Sequence, residues 1–568
     1  MIRNCRGQTK EWGGRLPVAL VFPEEESLAL STLGWQRVYK DLGHNNLFYV
    51  ERFFWDRKSG KAKCPDSDKT LADFPLICFS LNFEGDFLTL INILKAENIP
   101  ITASERSDWP LIMAGGPIAF LNPFPVIPSL DFLFVGESEG RFVAISEVIG
   151  NAWLKGNSVS QVIASISGLP GIMIYGQQQK VKKQIFLTAE GYLDSPCHST
   201  FVSRASVFRD SFLMEINRGC PYGCRFCAAG FIYRPPRKSK TQDLKNLVQK
   251  VNPRKVGLVG TALTDWEDLF SFLTWLHKRK VKFSLSSLRA DGLDRKFLEF
   301  LRRSGTRSIT LAVEGISSRL RRAMNKHFSS EKFFKAVELI SEMQFNTLKL
   351  YFILGLPGES DKDFHDLTHF LEMLEQARKK GMGRKKKGVD LISISASMFV
   401  PKPWTPLQWS PMDKEEVFLE KVRRIKKMCA QYKGLRFQAE KPFSSRIQGL
   451  LSKGDEKVHD LLVLASENDN NWRKALKMWS GNIEDYIGSE LSVEKDFVWD
   501  TIDLGVDRRY LIREFDKYKK EMLTSPCPDE PCPSCRRCGM DKFLSDSSFP
   551  ERRPAALTSG KKDFPDGN

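Results

Sequence analysis

Glu215-Ile216-Asn217-Arg218-Gly219-Cys220-Pro221-Tyr222-Gly223-Cys224-Arg225-Phe226-Cys227 places three thiols within eight residues, directly after an apolar, strand-like run that begins at Phe212. Three thiolates on so short a loop suit three irons of a [4Fe–4S] cube, and Gly219, Pro221 and Gly223 let the chain wrap one face of it. The fourth iron then has no protein ligand, and an open metal position is what a chelating substrate requires. The competing reading is a structural zinc, or an ordinary cluster with a distant fourth ligand, because Cys-x-x-x-Cys-x-x-Cys is a short pattern.

Working outward, apolar runs alternate with helical patterns from residue 212 to about 400. Candidate strands lie at 212–217, 255–259, 282–285, 308–313, 348–354 and 390–395. Six strand–helix units predict a partial (β/α)6 barrel with its functional loops at the strand carboxyl ends. Upstream, short apolar runs at 18–22, 76–81, 111–114 and 132–135, three of them ending at Gly or Pro, predict a doubly wound, Rossmann-like α/β domain over residues 1–150. Residues 151–205 read as a linker with a crossover helix and a short strand-rich piece. The barrel takes 206–410, and a basic, mainly helical region follows over 411–525. A Cys-rich knot occupies 526–540, and the polar tail 541–568 reads as disordered.

With these segments in order, the chain resembles the radical S-adenosylmethionine superfamily, in a bacterial subgroup with an N-terminal cobalamin-binding-like domain. The resemblance implies that Cys220, Cys224 and Cys227 hold a [4Fe–4S] cluster whose open iron binds S-adenosylmethionine. One electron then breaks a carbon–sulfur bond and leaves a 5′-deoxyadenosyl radical. It also implies individual contacts. Phe226 lies near the adenine. Ser286 and Arg289, in Ser286-Ser287-Leu288-Arg289-Ala290-Asp291-Gly292, form the polar segment after the third strand. Glu314 meets the ribose and Arg319 the methionine carboxylate. Leu356, in the turn Gly355-Leu356-Pro357-Gly358, backs the adenine. The family's Gly-Gly-Glu after the second strand is replaced by Gly260-Thr261-Ala262, which leaves the methionine amino group to backbone or to Thr261.

The amino-terminal unit resembles the cobalamin-binding domain that often precedes such barrels, through Ser80-Leu81, Ala114-Gly115-Gly116-Pro117 and Gly136-Glu137-Ser138-Glu139. Gly115 and Gly116 would let a corrin nucleotide tail approach the backbone. The Asp-x-His-x-x-Gly ligand motif is absent, and Asp41-Leu42-Gly43-His44 has the wrong spacing, so His44 reads as a surface or turn residue. At the other end, Cys527-x4-Cys532-x2-Cys535-x2-Cys538 offers four thiolates for a tetrahedral zinc or for an auxiliary iron–sulfur cluster.

Composition bounds the rest. Of twelve cysteines, seven fall in the two clusters. With no apolar leader at the start, this predicts metal ligation in a reducing cytoplasm rather than disulfides. No stretch approaches the ~18 apolar residues of a spanning helix. The 86 Lys and Arg against 69 Asp and Glu leave a net charge of +17, which permits an RNA partner. Much of that charge sits in runs such as Arg378-Lys379-Lys380, which read as solvated. A low-potential donor such as flavodoxin or ferredoxin is the expected partner. Three functional readings follow: a radical enzyme modifying an unactivated carbon, by cobalamin-dependent methyl transfer in one form; an RNA methylthiotransferase; and a non-catalytic iron–sulfur or cobalamin-binding regulator.

Overall fold

The strand Leu16–Phe22 is buried at all seven positions, as expected of a parallel strand covered on both faces. The computed structural model describes residues 12–545 apart from 140, 178–179, 188–191, 194, 386 and 529–531. Its first sheet comprises β1 (Leu16–Phe22), β2 (Phe48–Asp56), β3 (Lys61–Lys63), β4 (Leu76–Ser80), β5 (Leu111–Gly115), β6 (Phe132–Phe134) and β7 (Ile172–Met173), in the order β3-β2-β1-β4-β5-β6-β7. The central five are parallel, and β3 and β7 close the edges antiparallel. The chain runs outward from β1 to β2, then returns to β4 on the other side of β1. That reversal opens a crevice at the carboxyl ends of β1 and β4, where doubly wound sheets bind ligands.

The four strands expected here are present. The long β2 and the two edge strands were not foreseen. The region 151–205, read as a linker with a crossover helix and a short strand-rich piece, contains the helix Val159–Ile166 and β7, which closes the first sheet, and β8 (Val181–Lys182), which pairs far along the chain.

The second unit begins at β9 (Phe212–Glu215). It continues through the short ribbon of β10 (Asn217–Arg218) and β11 (Arg237–Lys238), then β12 (Lys255–Val259), β13 (Lys282–Ser284), β14 (Ser308–Glu314), β15 (Thr347–Leu354), β16 (Leu391–Met398) and β17 (Leu435–Ala439). Two parallel sheets, β13-β12-β9 and β14-β15-β16-β17, are joined by a parallel bridge between Leu288 and Leu311. Together they form a partial barrel. Its periodicity is explicit in β16, where Ile392, Ile394, Ala396 and Met398 are buried while Leu391, Ser393, Ser395 and Ser397 are only half-buried. Alternation of this kind places apolar groups against the outer helices and polar ones in the barrel's interior.

All six expected barrel strands exist. The correction is β17, a seventh parallel strand inside the region expected to be mainly helical. That region otherwise consists of helices, which also return to the first domain: Asn122 Nδ2 donates to the carbonyls of Ser452 and Gly454 at 3.1 and 2.7 Å. β18 (Ile502–Asp503) supplies the partner of β8. Of the tail, residues 546–568 lie outside the described residues. Among the described residues no helix is long and apolar enough to cross a membrane.

Candidate functional site

The loop of three cysteines leaves β9 and β10 at Gly219, whose φ of +79° favours glycine. A Cβ there would lie 2.3 Å from the Tyr233 carbonyl. The loop is then braced from behind at successive residues. Gly223 O accepts from Asn325 Nδ2 at 3.2 Å, and Arg225 N–H donates to Met324 O at 2.9 Å. The fully buried Arg225 guanidinium binds Glu514 at 2.9 Å and the Ala323 carbonyl at 2.6 Å. Asn325, Arg225 and Glu514 were not foreseen, because their partners lie about a hundred or more residues away.

Cys220, Cys224 and Cys227 are half-buried on this scaffold. Burial pushes the Cys220 thiol up to about 11 and the Cys224 thiol to about 12. Iron must therefore displace protons as it binds, as thiolate-ligated metals do. Among the described residues no three His, Cys, Asp or Glu side chains are drawn into ligating geometry. The donor set nevertheless fits a [4Fe–4S] cluster: soft thiols on one glycine-bearing loop, at a strand carboxyl end, with rigid backing.

Several residues expected around the cofactor converge on the loop. The Arg289 guanidinium lies 4.1 Å above the Tyr222 ring and donates to Asp291 at 2.8 Å and to the His327 carbonyl at 3.2 Å. Glu314 ends β14 with a φ of +70°, at a register shift in the strand pairing. Such strain collects at functional positions. Its carboxylate is 3.5 Å from Lys326, and burial raises its pKa. Gly260 and Thr261 are fitted to the base of the loop: Thr261 N–H donates to Asn217 Oδ1 at 2.8 Å and its hydroxyl to Gly219 O at 2.5 Å. A Cβ at Gly260 would meet Asn217 Oδ1 at 2.5 Å. Phe226 is half-buried against the core. Leu356 is 2% exposed and is a core residue at the end of β15, while Ser286 is exposed.

Arg319 departs from expectation. Its guanidinium binds Asp363 at 2.7 Å, Glu521 at 2.9 Å and the Gly358 carbonyl at 2.7 Å. It thus ties the turn after β15 to the C-terminal region, and its charge is already matched by two carboxylates. In this arrangement the guanidinium that was expected to meet the methionine carboxylate is engaged within the protein.

The two units meet at a cavity of about 520 Å3. Its walls include Leu20, Phe79, Met113 and Phe134 at the ends of the first sheet, and Val259, Gly260 and Thr261 at the end of β12. Gly115 and Gly116 both line it, for different reasons. Gly116 has a φ of +104°, and a Cβ there would sit 2.4 Å from the Leu81 carbonyl, so its own backbone packing demands glycine. A Cβ on Gly115 would find only the Phe134 carbonyl, at 3.8 Å. The open approach to Gly115, the apolar walls and the switch-point position fit a large planar cofactor such as cobalamin. Among the described residues no histidine lines the cavity. His44 is exposed and bound to the Lys40 carbonyl at 2.7 Å.

Beside the cavity, Glu137 clamps two arginines that face each other across the β10–β11 ribbon. Arg237 reaches its Oε1 at 2.5 Å and Arg218 its Oε2 at 3.0 Å. Arg218 also holds Glu139 at 2.7 Å and Glu215 at 2.8 Å. The Gly136-Glu137-Ser138-Glu139 segment therefore fastens the first domain to the base of the cysteine loop. Finally, Cys527, Cys532, Cys535 and Cys538 line one small pocket together with Pro221 and Gly223 of that loop.

Comparison with known proteins agrees with this architecture. The family model for the N-terminal region of radical SAM proteins matches residues 34–174, and that of the radical SAM superfamily matches residues 214–371. An uncharacterized protein of Methanocaldococcus jannaschii is 28% identical over 497 residues, covering 86% of this chain and 98% of that one. The ribosomal protein uS12 methylthiotransferase RimO of Elusimicrobium minutum is 23% identical over 37% of this chain and 51% of its own length. Among solved structures, the radical S-adenosylmethionine methyltransferase TsrM of Kitasatospora setae, with cobalamin and a [4Fe–4S] cluster bound, superposes with a TM-score of 0.50. It is 12% identical, over 82% of this chain and all of that one, which speaks for the fold alone. With the cysteine loop at the carboxyl end of the first barrel strand and a doubly wound domain ahead of it, the chain belongs to the radical S-adenosylmethionine superfamily.

Proposed function

We propose that the protein reductively cleaves S-adenosylmethionine at a [4Fe–4S] cluster held by Cys220, Cys224 and Cys227, and modifies an unactivated carbon by cobalamin-dependent methyl transfer. The observation that carries the second half is the cavity of about 520 Å3 enclosed jointly by the ends of the first sheet and of β12. A corrinoid bound there would supply a transferable methyl group next to the radical chemistry.

The chain's own residues then have definite tasks. Gly219, Asn325 and Arg225 fix the cysteine loop. Glu314 and Arg289 offer an acceptor and a donor to the polar parts of S-adenosylmethionine. Gly115 leaves room for the corrinoid, and the apolar walls exclude water from a reactive radical. An RNA substrate finds little support in the basic run 378–380, because Arg378 and Lys379 pair with Glu375 and Lys380 with Glu338.

The test is anaerobic incubation of the purified chain with S-adenosylmethionine, cobalamin and a low-potential reductant. The reading expects 5′-deoxyadenosine and a tightly bound corrinoid. Formation of 5′-deoxyadenosine with no corrinoid binding would remove methyl transfer and leave the radical enzyme.

A further inference from the structure

The four cysteines near the C-terminus come together directly behind the loop that carries Cys220, Cys224 and Cys227. Cys527 N–H donates to the Pro221 carbonyl at 2.9 Å, and all four line the pocket whose other wall is Pro221 and Gly223. The C-terminal cysteines thus pack against the backbone of the loop that carries the first set.

Arg234 lies in the same pocket and is 4% exposed. It donates to the Gly230 carbonyl at 2.8 Å and to the Tyr510 hydroxyl at 3.4 Å, and lies over the Phe231 and Tyr510 rings. Among the described residues no carboxylate neutralises it. A buried guanidinium without an anion is costly. A centre held by four thiolates carries net negative charge and would supply the missing counter-charge at the place where Cys527 and Cys538 face Arg234.

Two further observations choose the kind of centre. The spacing Cys532-x2-Cys535-x2-Cys538 is a ferredoxin-like run, whereas zinc knuckles usually hold their cysteine pairs farther apart. Arg537 lines the pocket and is exposed, Arg509, Arg513 and Arg536 are exposed too, and Arg513 donates to the Arg537 carbonyl at 3.3 Å. This basic rim suits an acidic partner.

We infer that Cys527, Cys532, Cys535 and Cys538 hold a second iron–sulfur centre, which takes single electrons from an acidic low-potential protein donor and passes them to the radical cluster. The inference rests on the radical reading for its destination, but not for its metal. Each passage moves one electron. The donor is oxidised by one unit, and the centre is reduced and then reoxidised. The electron is consumed in breaking one carbon–sulfur bond of S-adenosylmethionine.

The test uses the full chain purified anaerobically, with iron, sulfide and zinc counted per chain and the reduced protein read by electron paramagnetic resonance. The wild type should hold about eight irons. Cys224→Ser and the double variant Cys532→Ser/Cys535→Ser should each hold about four, with different spectra. With reduced flavodoxin, 5′-deoxyadenosine formation by the double variant should fall roughly tenfold or more, a rise of about 1.4 kcal/mol or more in effective barrier. Dithionite, a small donor, should restore most of it. A wild type with about four irons and about one zinc overturns the inference, as does one with about four irons and no other metal. These wild-type counts decide even where a variant fails to fold. If Cys224→Ser keeps all the wild-type iron, the radical-cluster reading fails and the second centre stands.

Discussion

Arg218 Nη1 lies 3.0 Å from Glu137 Oε2, so the residue two places ahead of Cys220 is tied to the segment that follows β6. Arg237 grips the same carboxylate, and the two arginines are direct neighbours across the ribbon. Like charges so placed repel each other. Glu137 is what lets them coexist in a buried site, and it couples the position of the cysteine loop to the first domain.

Glu137→Gln should accordingly lower unfolding stability by about 3–5 kcal/mol, the usual effect of stripping one partner from a buried ion network. Burial opposes the charge, but Arg237 and Arg218 overcome it and hold the carboxyl well below the usual carboxylate range. A depressed folded pKa stabilises in full above the unfolded value of about 4.3, and the gain is lost as pH falls through the folded value. Denaturant titrations should find the gap between wild type and variant constant from pH 7 to about pH 5, and shrinking only in stronger acid.

Lys453 also makes stability rise with pH, but through a penalty relieved in alkali rather than a gain lost in acid. It is 5% exposed, it makes a long hydrogen bond of 3.5 Å to the Ser410 carbonyl, and burial with Lys495 nearby pushes it down to about 7. A lowered lysine pKa penalises the folded state below about 7, and the penalty disappears as pH climbs toward the unfolded value of about 10.4. Lys453→Met should raise stability at pH 7 by roughly 1–3 kcal/mol and flatten the rise seen between pH 7 and 10. Thermal melts across that range check it; a destabilised variant would contradict the assignment.

The fold was legible where physical signals are local. β1, β4, β5 and β6 are short apolar runs, and the cysteine loop compresses its ligands into eight residues. β17 escaped notice because Leu435-Arg436-Phe437-Gln438-Ala439 is brief, half polar and preceded by a basic helix, Glu415–Cys429. Its pairing with β16 supplies what its own sequence lacks. The partners of Arg218, Arg225 and Arg234 were invisible for a different reason: each side chain meets groups 79 to 289 positions away in its longer contacts, and nothing in a linear pattern marks such pairs. For Arg319, a motif position does not reveal that Asp363 and Glu521 hold the charge.

The two cavity glycines should behave differently. Gly116→Val forces a side chain onto the Leu81 carbonyl from a backbone conformation that valine rarely adopts, so it should unfold more readily whether or not cofactor is present. Gly115→Val sits at the end of a β-strand with space around its Cβ. Stability should change by less than about 1 kcal/mol while cobalamin affinity falls roughly tenfold or more. Parallel denaturation and anaerobic absorbance titrations with cobalamin separate the two effects.

Arg319→Ala should cost about 1–2 kcal/mol of stability through the loss of its two carboxylate contacts and leave S-adenosylmethionine affinity unchanged. Glu314→Gln should weaken that affinity with the fold preserved. Anaerobic calorimetric titration of S-adenosylmethionine into each variant checks the contrast. A large loss of affinity in Arg319→Ala alone would return that residue to the cofactor site.

The central claim is that the loop Cys220–Cys227 holds the cluster that cleaves S-adenosylmethionine. Its most direct test is the yield of 5′-deoxyadenosine from reconstituted, anaerobic protein with dithionite, measured for the wild type beside Cys224→Ala. The account predicts steady formation by the wild type and none above background by the variant, with iron content reduced in step. Equal formation by both proteins, or none by a fully reconstituted wild type, would contradict it.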